Sequence, residues 1–298
     1  MKTLTDVLES SMTSLYESIF DTFDDKGNVT TDSSELVKQD IIKWIKEYCG
    51  CAEQKYNKIK IDYKNGEYIV DWMEDVTILS DAPSLTNGQF VWGKVHIFDC
   101  SYCELLESLE GAPKEVTLIF DCSDCPNLKS LKGAPEKVGS FYCSGCGSLE
   151  SLEGAPKEVK NFDCSNCHFL KSLKGAPEKT KNSFICSNCH LLKSLEGAPK
   201  NVGWDFSCDH CRSLESLKGA PKKVGWDFSC CCCPNLESLK GAPEYVKNDF
   251  DCSGCDSLKS LEGAPKKVDG DFECKQHDMN FTEEDVKSVS NVKGKIHC

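Results

Sequence analysis

A unit of about 22 residues recurs along roughly two thirds of this 298-residue chain. One copy reads Val159-Lys-Asn-Phe162-Asp-Cys164-Ser-Asn-Cys167-His-Phe-Leu170-Lys-Ser-Leu173-Lys-Gly175-Ala-Pro177. Its Gly-Ala-Pro turn returns at Gly111, Gly133, Gly154, Gly175, Gly197, Gly219, Gly241 and Gly263, in steps of 21 or 22 residues. A fixed period of this size marks stacked supersecondary units, because one unit alone cannot bury its apolar face. The expected fold is a mainly β solenoid of short parallel strands. Helical and hairpin elements cap its N-terminal end, and a short helix caps the other.

Within a unit, Phe162 and Cys164 alternate with Asn161, Asp163 and Ser165. That period of two predicts a short strand with Phe and Cys facing the core. Cys167, Leu170 and Leu173 follow at steps of three, as a chain curling away from the strand does. Most copies hold an extra residue before Phe, as in Val202-Gly-Trp204-Asp-Phe206, which predicts a bulge where the strand begins.

Four regions follow from these patterns. Residues 1–24 place Leu4, Val7, Leu8, Met12, Leu15, Tyr16, Ile19, Phe20 and Phe23 on one face of an amphipathic leader helix. Residues 32–97 form the N-terminal cap. Its helix starts at Asp32 with Glu35 completing a capping box, buries Leu36, Val37, Ile41, Ile42, Ile45 and Tyr48, and stops at Gly50. A hairpin over Lys58–Trp72 turns at Asn65-Gly66, the strongest short hairpin signal. Asp81-Ala-Pro83 reads as a degenerate first turn. Residues 98–274 are the array, eight units and a partial ninth beginning at Phe272. Residues 275–298 are the C-terminal cap, with a helix capped by Thr282 and Asp285, Val286 and Val289 turned inward, and a last strand within Lys293–Cys298.

Charge supports the stacking. The residue after the second Leu runs Glu110, Lys132, Glu153, Lys174, Glu196, Lys218, Lys240, Glu262. The residue before Ser runs Glu107, Lys129, Glu150, Lys171, Lys193, Glu215, Glu237, Lys259. In a parallel stack these positions lie about 4.8 Å apart. Opposite charges mostly neighbour each other, a device that fixes register. The net charge of -13 argues against nucleic acid or an anionic membrane as partner. The N-terminal residues lack an apolar run long enough for a secretory signal, so the expected location is a cytoplasm.

Cys100, Cys103, Cys122 and Cys125 satisfy a zinc-site spacing, but the same spacing overlaps itself through every later unit. The first Cys is in phase with the core Phe. The second stands at the bend, where a thiol satisfies backbone groups weakly. The structural reading is preferred, with zinc and disulfides as the alternatives, and no metal or cofactor is assigned. Cys230-Cys-Cys-Cys233 differs from the other copies, since Cys231 and Cys232 replace outward-facing residues and are expected to be exposed thiols near Asp209 and His210. A metal or redox site there competes with neutral drift. His168 and His190 stack in successive units, and a solvated surface ladder is preferred there over a metal role. No phosphate loop, nucleophile elbow or zinc-protease motif occurs, so no enzyme is expected.

The line Val159-x-x-Phe162-x-Cys164-x-x-Cys167-x-x-Leu170 resembles the leucine-rich repeat consensus, Leu-x-x-Leu-x-Leu-x-x-Asn/Cys-x-x-Leu, over about residues 95–275. The short second half resembles the extended convex segments of bacterial leucine-rich repeat effectors. Those effectors imply a ubiquitin-ligase domain, which has no room after the array. The leader Ser14–Asp21 and the stretch Asp62–Trp72 are similar to leucine-rich repeat proteins of tailed phages of gut bacteria. Leu15-Tyr16-Glu17 fits the Leu-x-Glu pattern cut by phage maturation proteases. A helix docked on the cap is the preferred reading of the leader.

The resulting expectation is a non-enzymatic scaffold whose strand face binds a protein partner, a basic one by charge. Its candidate residues are Trp204, Asp205, Trp226 and Asp227, with Tyr142, Asp121, Asp163 and Asp251 from the strand-face column. Local packing of the two Trp over the bulge is the competing reading. The alternatives of a different class are a virion component or packaged cargo directed by the leader, and a metal- or thiol-redox-active protein.

Overall fold

The computed structural model describes residues 33–50, 58–276 and 281–298. The leader helix and Cys51 lie outside the described residues. The chain divides into two compact units, residues 1–47 and 48–298. The first carries helix α1, Ser33–Tyr48, with Glu35 in its first turn and Lys46 in its last, matching the helix dipole. Ile41 and Ile45 are fully buried, and Trp44, which the sequence reading had not named, is nearly so.

The second unit is a parallel β-solenoid. It opens with β1, Cys49–Gly50, which pairs antiparallel with β3, Glu67–Ile78. Gly50 is therefore a strand residue and not a helix stop. The hairpin forms as expected: β2, Lys60–Lys64, pairs with β3 around a two-residue turn. Asn65 and Gly66 take φ of 55° and 88°, the pair of left-handed residues that a type I′ turn requires. β3 then pairs in parallel with β4, Phe90–Asp99, followed by β5, Glu115–Asp121, and β6, Lys137–Tyr142.

After β6 the single bulged strand gives way to two short strands per turn. These are β7 Glu158–Val159 and β8 Phe162–Asp163, then β9 Lys179–Thr180 and β10 Phe184–Ile185, then β11 Asn201–Val202 and β12 Phe206–Ser207. The pattern continues through β13 Lys223–Val224, β14 Phe228–Ser229, β15 Tyr245–Val246, β16 Phe250–Asp251, β17 Lys267–Val268 and β18 Phe272–Glu273. Two parallel ladders result, one through the Val strands and one through the Phe strands. The extra residues between Val and Phe accumulate into a corner where one pleated strand cannot stay straight. Backbone bonds still cross between turns at the corner, as in Trp204 N–H to the Asn182 carbonyl at 2.9 Å.

The two other corners are tight turns. In each full unit the Ala N–H of Gly-Ala-Pro donates to the carbonyl of the second Leu, for example Ala220 to Leu217 at 3.0 Å. The intervening Gly219 has φ of 98°, as the third residue of a type II turn must. Ala82 keeps the same bond to Leu79 at 3.0 Å, so Asp81-Ala-Pro83 is indeed a first turn. The other corner closes from the second Cys to the first Leu, as in Leu214 N–H to Cys211 carbonyl at 3.0 Å.

The core is a set of columns. Phe98, Phe120, Phe141, Phe162, Phe184, Phe206, Phe228 and Phe250 stack with ring centroids 5.2–5.6 Å apart and planes within 16° of parallel. That centroid spacing exceeds the about 4.8 Å between strands, so the rings are slipped sideways, the offset arrangement that aromatic quadrupoles favour. The repeat cysteines and both leucines of each unit fill the rest.

At the far end Thr282 and Asp285 form the expected capping box of helix α2, Glu283–Val289. Val286 is fully buried, whereas Val289, expected inward, is 36% exposed. A helix of two turns offers only one narrow face to the stack. β19, Asn291–Val292, and β20, Ile296–His297, extend both ladders, so the ninth unit is completed with a helix in place of the Leu arm.

The charge columns pair across turns. Lys132 meets Glu110 at 2.8 Å, Lys174 meets Glu153 at 2.7 Å, Lys218 meets Glu196 at 2.6 Å and Lys240 meets Glu262 at 3.1 Å. The second column pairs Lys129 with Glu107, Lys171 with Glu150, Lys193 with Glu215 and Lys259 with Glu237. All are exposed, so each contributes little. Lys218→Glu should give a small loss in melting temperature that disappears at high salt, as thermal melts at two ionic strengths would show.

Candidate functional site

The repeat cysteines are structural in this fold. The second thiol of each unit donates to the carbonyl of the first Cys one turn back, as in Cys146 to Cys122 at 3.1 Å, Cys189 to Cys164 at 3.3 Å and Cys233 to Cys208 at 3.3 Å. The first thiol donates forward, as in Cys186 to the Ser207 carbonyl at 3.4 Å. The bend is thus satisfied by sulfur. Burial pushes the Cys164, Cys186 and Cys252 thiols well above their ordinary pKa. Thiols held protonated in a dry core are poor nucleophiles.

Cys231 and Cys232 are half-buried and not the exposed thiols that their outward columns suggested. Neighbouring turns about 4.8 Å away on either side shield them. Among the described cysteines, Cys298 alone is exposed. A maleimide added to the native protein should label Cys298 first, Cys231 and Cys232 more slowly, and the core thiols only on unfolding. Time-resolved mass spectrometry reads that order.

The predicted strand-face carboxylates are committed to the backbone. Asp121, Asp163 and Asp251 each accept the N–H of the Ser two residues on, at 2.9, 2.8 and 2.8 Å. Asp163 also accepts the Ser165 hydroxyl at 2.6 Å. Asp205 accepts the Ser183 hydroxyl at 3.0 Å, and Asp227 accepts the Asp249 N–H at 3.0 Å and the Asn248 side-chain amide at 2.7 Å. Asp249 accepts the Asp271 N–H at 2.7 Å, and Asp271 accepts the Lys295 N–H at 2.7 Å. This column of carboxylates ties each turn to the next. Burial raises the Asp251 pKa. Tyr142 is half-buried and lies in β6, three strands from the Phe206 strand. The eight candidates therefore occupy three columns and do not converge on one pocket.

Trp204 and Trp226 behave differently. They are 56% and 49% exposed, so they do not pack down over the corner. Each follows a glycine, Gly203 or Gly225, at which a Cβ would run into the carbonyl of the preceding turn. Trp226 N–H donates to the Trp204 carbonyl at 3.1 Å, which sets the two indoles on adjacent turns of one column. A second exposed apolar pair, Phe169 and Leu191, escaped sequence reasoning. It sits one residue beyond the stacked His168 and His190 rings, whose centroids are 4.5 Å apart. Its signal was a column of like residues in two successive copies.

Compared with family models, characterised proteins and solved structures, the chain matches none. No helix among the described residues is long and apolar enough to cross a membrane. The rungs that hold these side chains are rigid, since each is bonded to both neighbours. What the surface offers is a ruled array of positions, two of which present exposed indoles on adjacent turns.

Proposed function

We propose that the protein is a non-enzymatic binding scaffold of the leucine-rich repeat kind, engaging a protein partner through the column of Trp204 and Trp226. The carrying observation is two indoles about half exposed on adjacent rungs of a rigid ladder. Trp is the residue most enriched in binding hot spots, and fixed rungs lower the ordering cost of binding. The Asp205, Asp227, Asp249 and Asp271 column beside the indoles and the net charge of -13 favour a basic partner segment. The repeat reading is supported by the second Cys, which satisfies the bend where the consensus places Asn. The phage setting and a packaged-cargo role rest on the resemblance of the leader and of the hairpin stretch.

The test is the double variant Trp204→Ala/Trp226→Ala in cross-linking capture with the intact chain as bait. Partner recovery should fall at least about tenfold, corresponding to about 1.4 kcal/mol. The melting temperature should barely move, since surface truncations stay within about 0.5 kcal/mol. Unchanged recovery removes this column from the binding surface. Phe169→Ala serves as the matched control.

A further inference from the structure

His210, Cys231 and Cys232 come together on two adjacent turns, their ligand atoms all within 4.8 Å of one another. The sequence separates His210 from Cys232 by 22 residues, one turn of the solenoid. His210 N–H donates to the Cys231 carbonyl at 2.9 Å, and Cys232 N–H donates to the Ser253 carbonyl at 2.8 Å, so both turns are locked in register. In other copies the Cys231 column holds mainly Ser, as at Ser165, Ser187 and Ser253, and the Cys232 column holds Tyr102, Asp124, Asn166, Asn188 and Gly254. The Cys232 column is left-handed in all of these copies, with φ of 57° at His210 and 55° at Cys232 against 59° at Asn166 and 66° at Gly254. Two successive turns of this shared backbone thus bring together one imidazole and two thiols.

We infer that His210, Cys231 and Cys232 bind one thiophilic divalent ion of the zinc type, leaving one coordination position open to solvent. Two sulfurs and one nitrogen are the donor set such an ion prefers, and three protein ligands leave a tetrahedral ion one exchangeable site. His210 is exposed and the thiols are half-buried, so the ion can enter from the surface. Asp209 holds the Cys231 backbone in place. It accepts the Cys231 N–H at 2.9 Å and the Ser207 hydroxyl at 2.7 Å, together with the Ser229 hydroxyl. Burial and the Asp209 carboxylate hold the Cys231 thiol protonated in the free protein. Binding therefore expels the Cys231 proton as its sulfur–metal bond forms.

The experiment uses the full-length chain, reduced with a phosphine and freed of metal, titrated anaerobically with Co2+ and then with Zn2+. Sulfur-to-cobalt charge-transfer absorption should rise to one equivalent per chain and vanish when zinc displaces cobalt. Cys231→Ser/Cys232→Asn restores what other turns carry and should fold normally while losing the band. His210→Asn should weaken binding by more than the about 10–100-fold that outer-sphere changes cost. Cys298→Ser should leave it intact. No charge-transfer band in the unaltered protein, or a band that survives in Cys231→Ser/Cys232→Asn, overturns the assignment.

Discussion

Phe206→Ala should lower stability by about 3–5 kcal/mol, among the largest losses from any single truncation in the array. The ring is fully buried and lies between Phe184 at 5.5 Å and Phe228 at 5.3 Å. The neighbouring rungs are hydrogen-bonded in place and cannot collapse into the hole. In a stack where each turn contacts only its neighbours, weakening one interface also uncouples the two flanks. Denaturant titration should therefore show a lower midpoint and a shallower transition, with the parts on either side unfolding separately. Trp204→Ala, two residues away but on the surface, is the control that should leave the curve in place. A shift for Phe206→Ala no larger than that control's would mean that the aromatic column does not carry the core.

The second large effect belongs to the Gly-Ala-Pro turn. Gly219→Ala should destabilise by more than the about 1–2 kcal/mol that a left-handed non-glycine residue costs by itself. Gly219 has φ of 98°, and an added Cβ would meet the Glu196 amide nitrogen at 2.5 Å. The obstructing atoms are backbone of the preceding turn, where the Leu195 carbonyl already accepts the Ala198 N–H, so they cannot swing aside. Gly66→Ala separates the two contributions, because Gly66 has φ of 88° but nothing within 4 Å of its Cβ site. Gly147→Ala, with open space and an ordinary backbone, should be neutral. Thermal melts of the three variants should rank them Gly219, Gly66, Gly147 in order of loss. Equal effects at Gly219 and Gly66 would remove close backbone approach as the reason for the glycine.

These two predictions rest on features that periodicity exposes well. A residue type that returns every 21 or 22 positions must meet its own copy, so the Phe column, the Cys columns and the Lys–Glu alternation could be laid out before any coordinates. The hairpin at Asn65-Gly66 and the capping box at Thr282 were legible for another reason: both are local, and their chemistry is complete within four residues. Trp44 was passed over although it stands three residues after Ile41 and four before Tyr48, on the same helix face. The candidate site was legible only in part. Exposed Trp204 and Trp226 could be named, but the role of Asp205 and Asp227 could not. A carboxylate bonded to the backbone of the next turn looks, in sequence, like a carboxylate facing solvent.

By itself, then, the sequence determined that the chain must stack, which side chains form its dry columns, and where it must turn. The physical reason is that a short repeat can hide its apolar groups only against copies of itself. Tertiary structure decided what happens at the corners. It split one bulged strand into two ladders and bonded the aspartates to the adjacent turns. Those outcomes depend on ångström-scale offsets between adjacent turns, which hydrogen-bond register sets and residue order does not spell out.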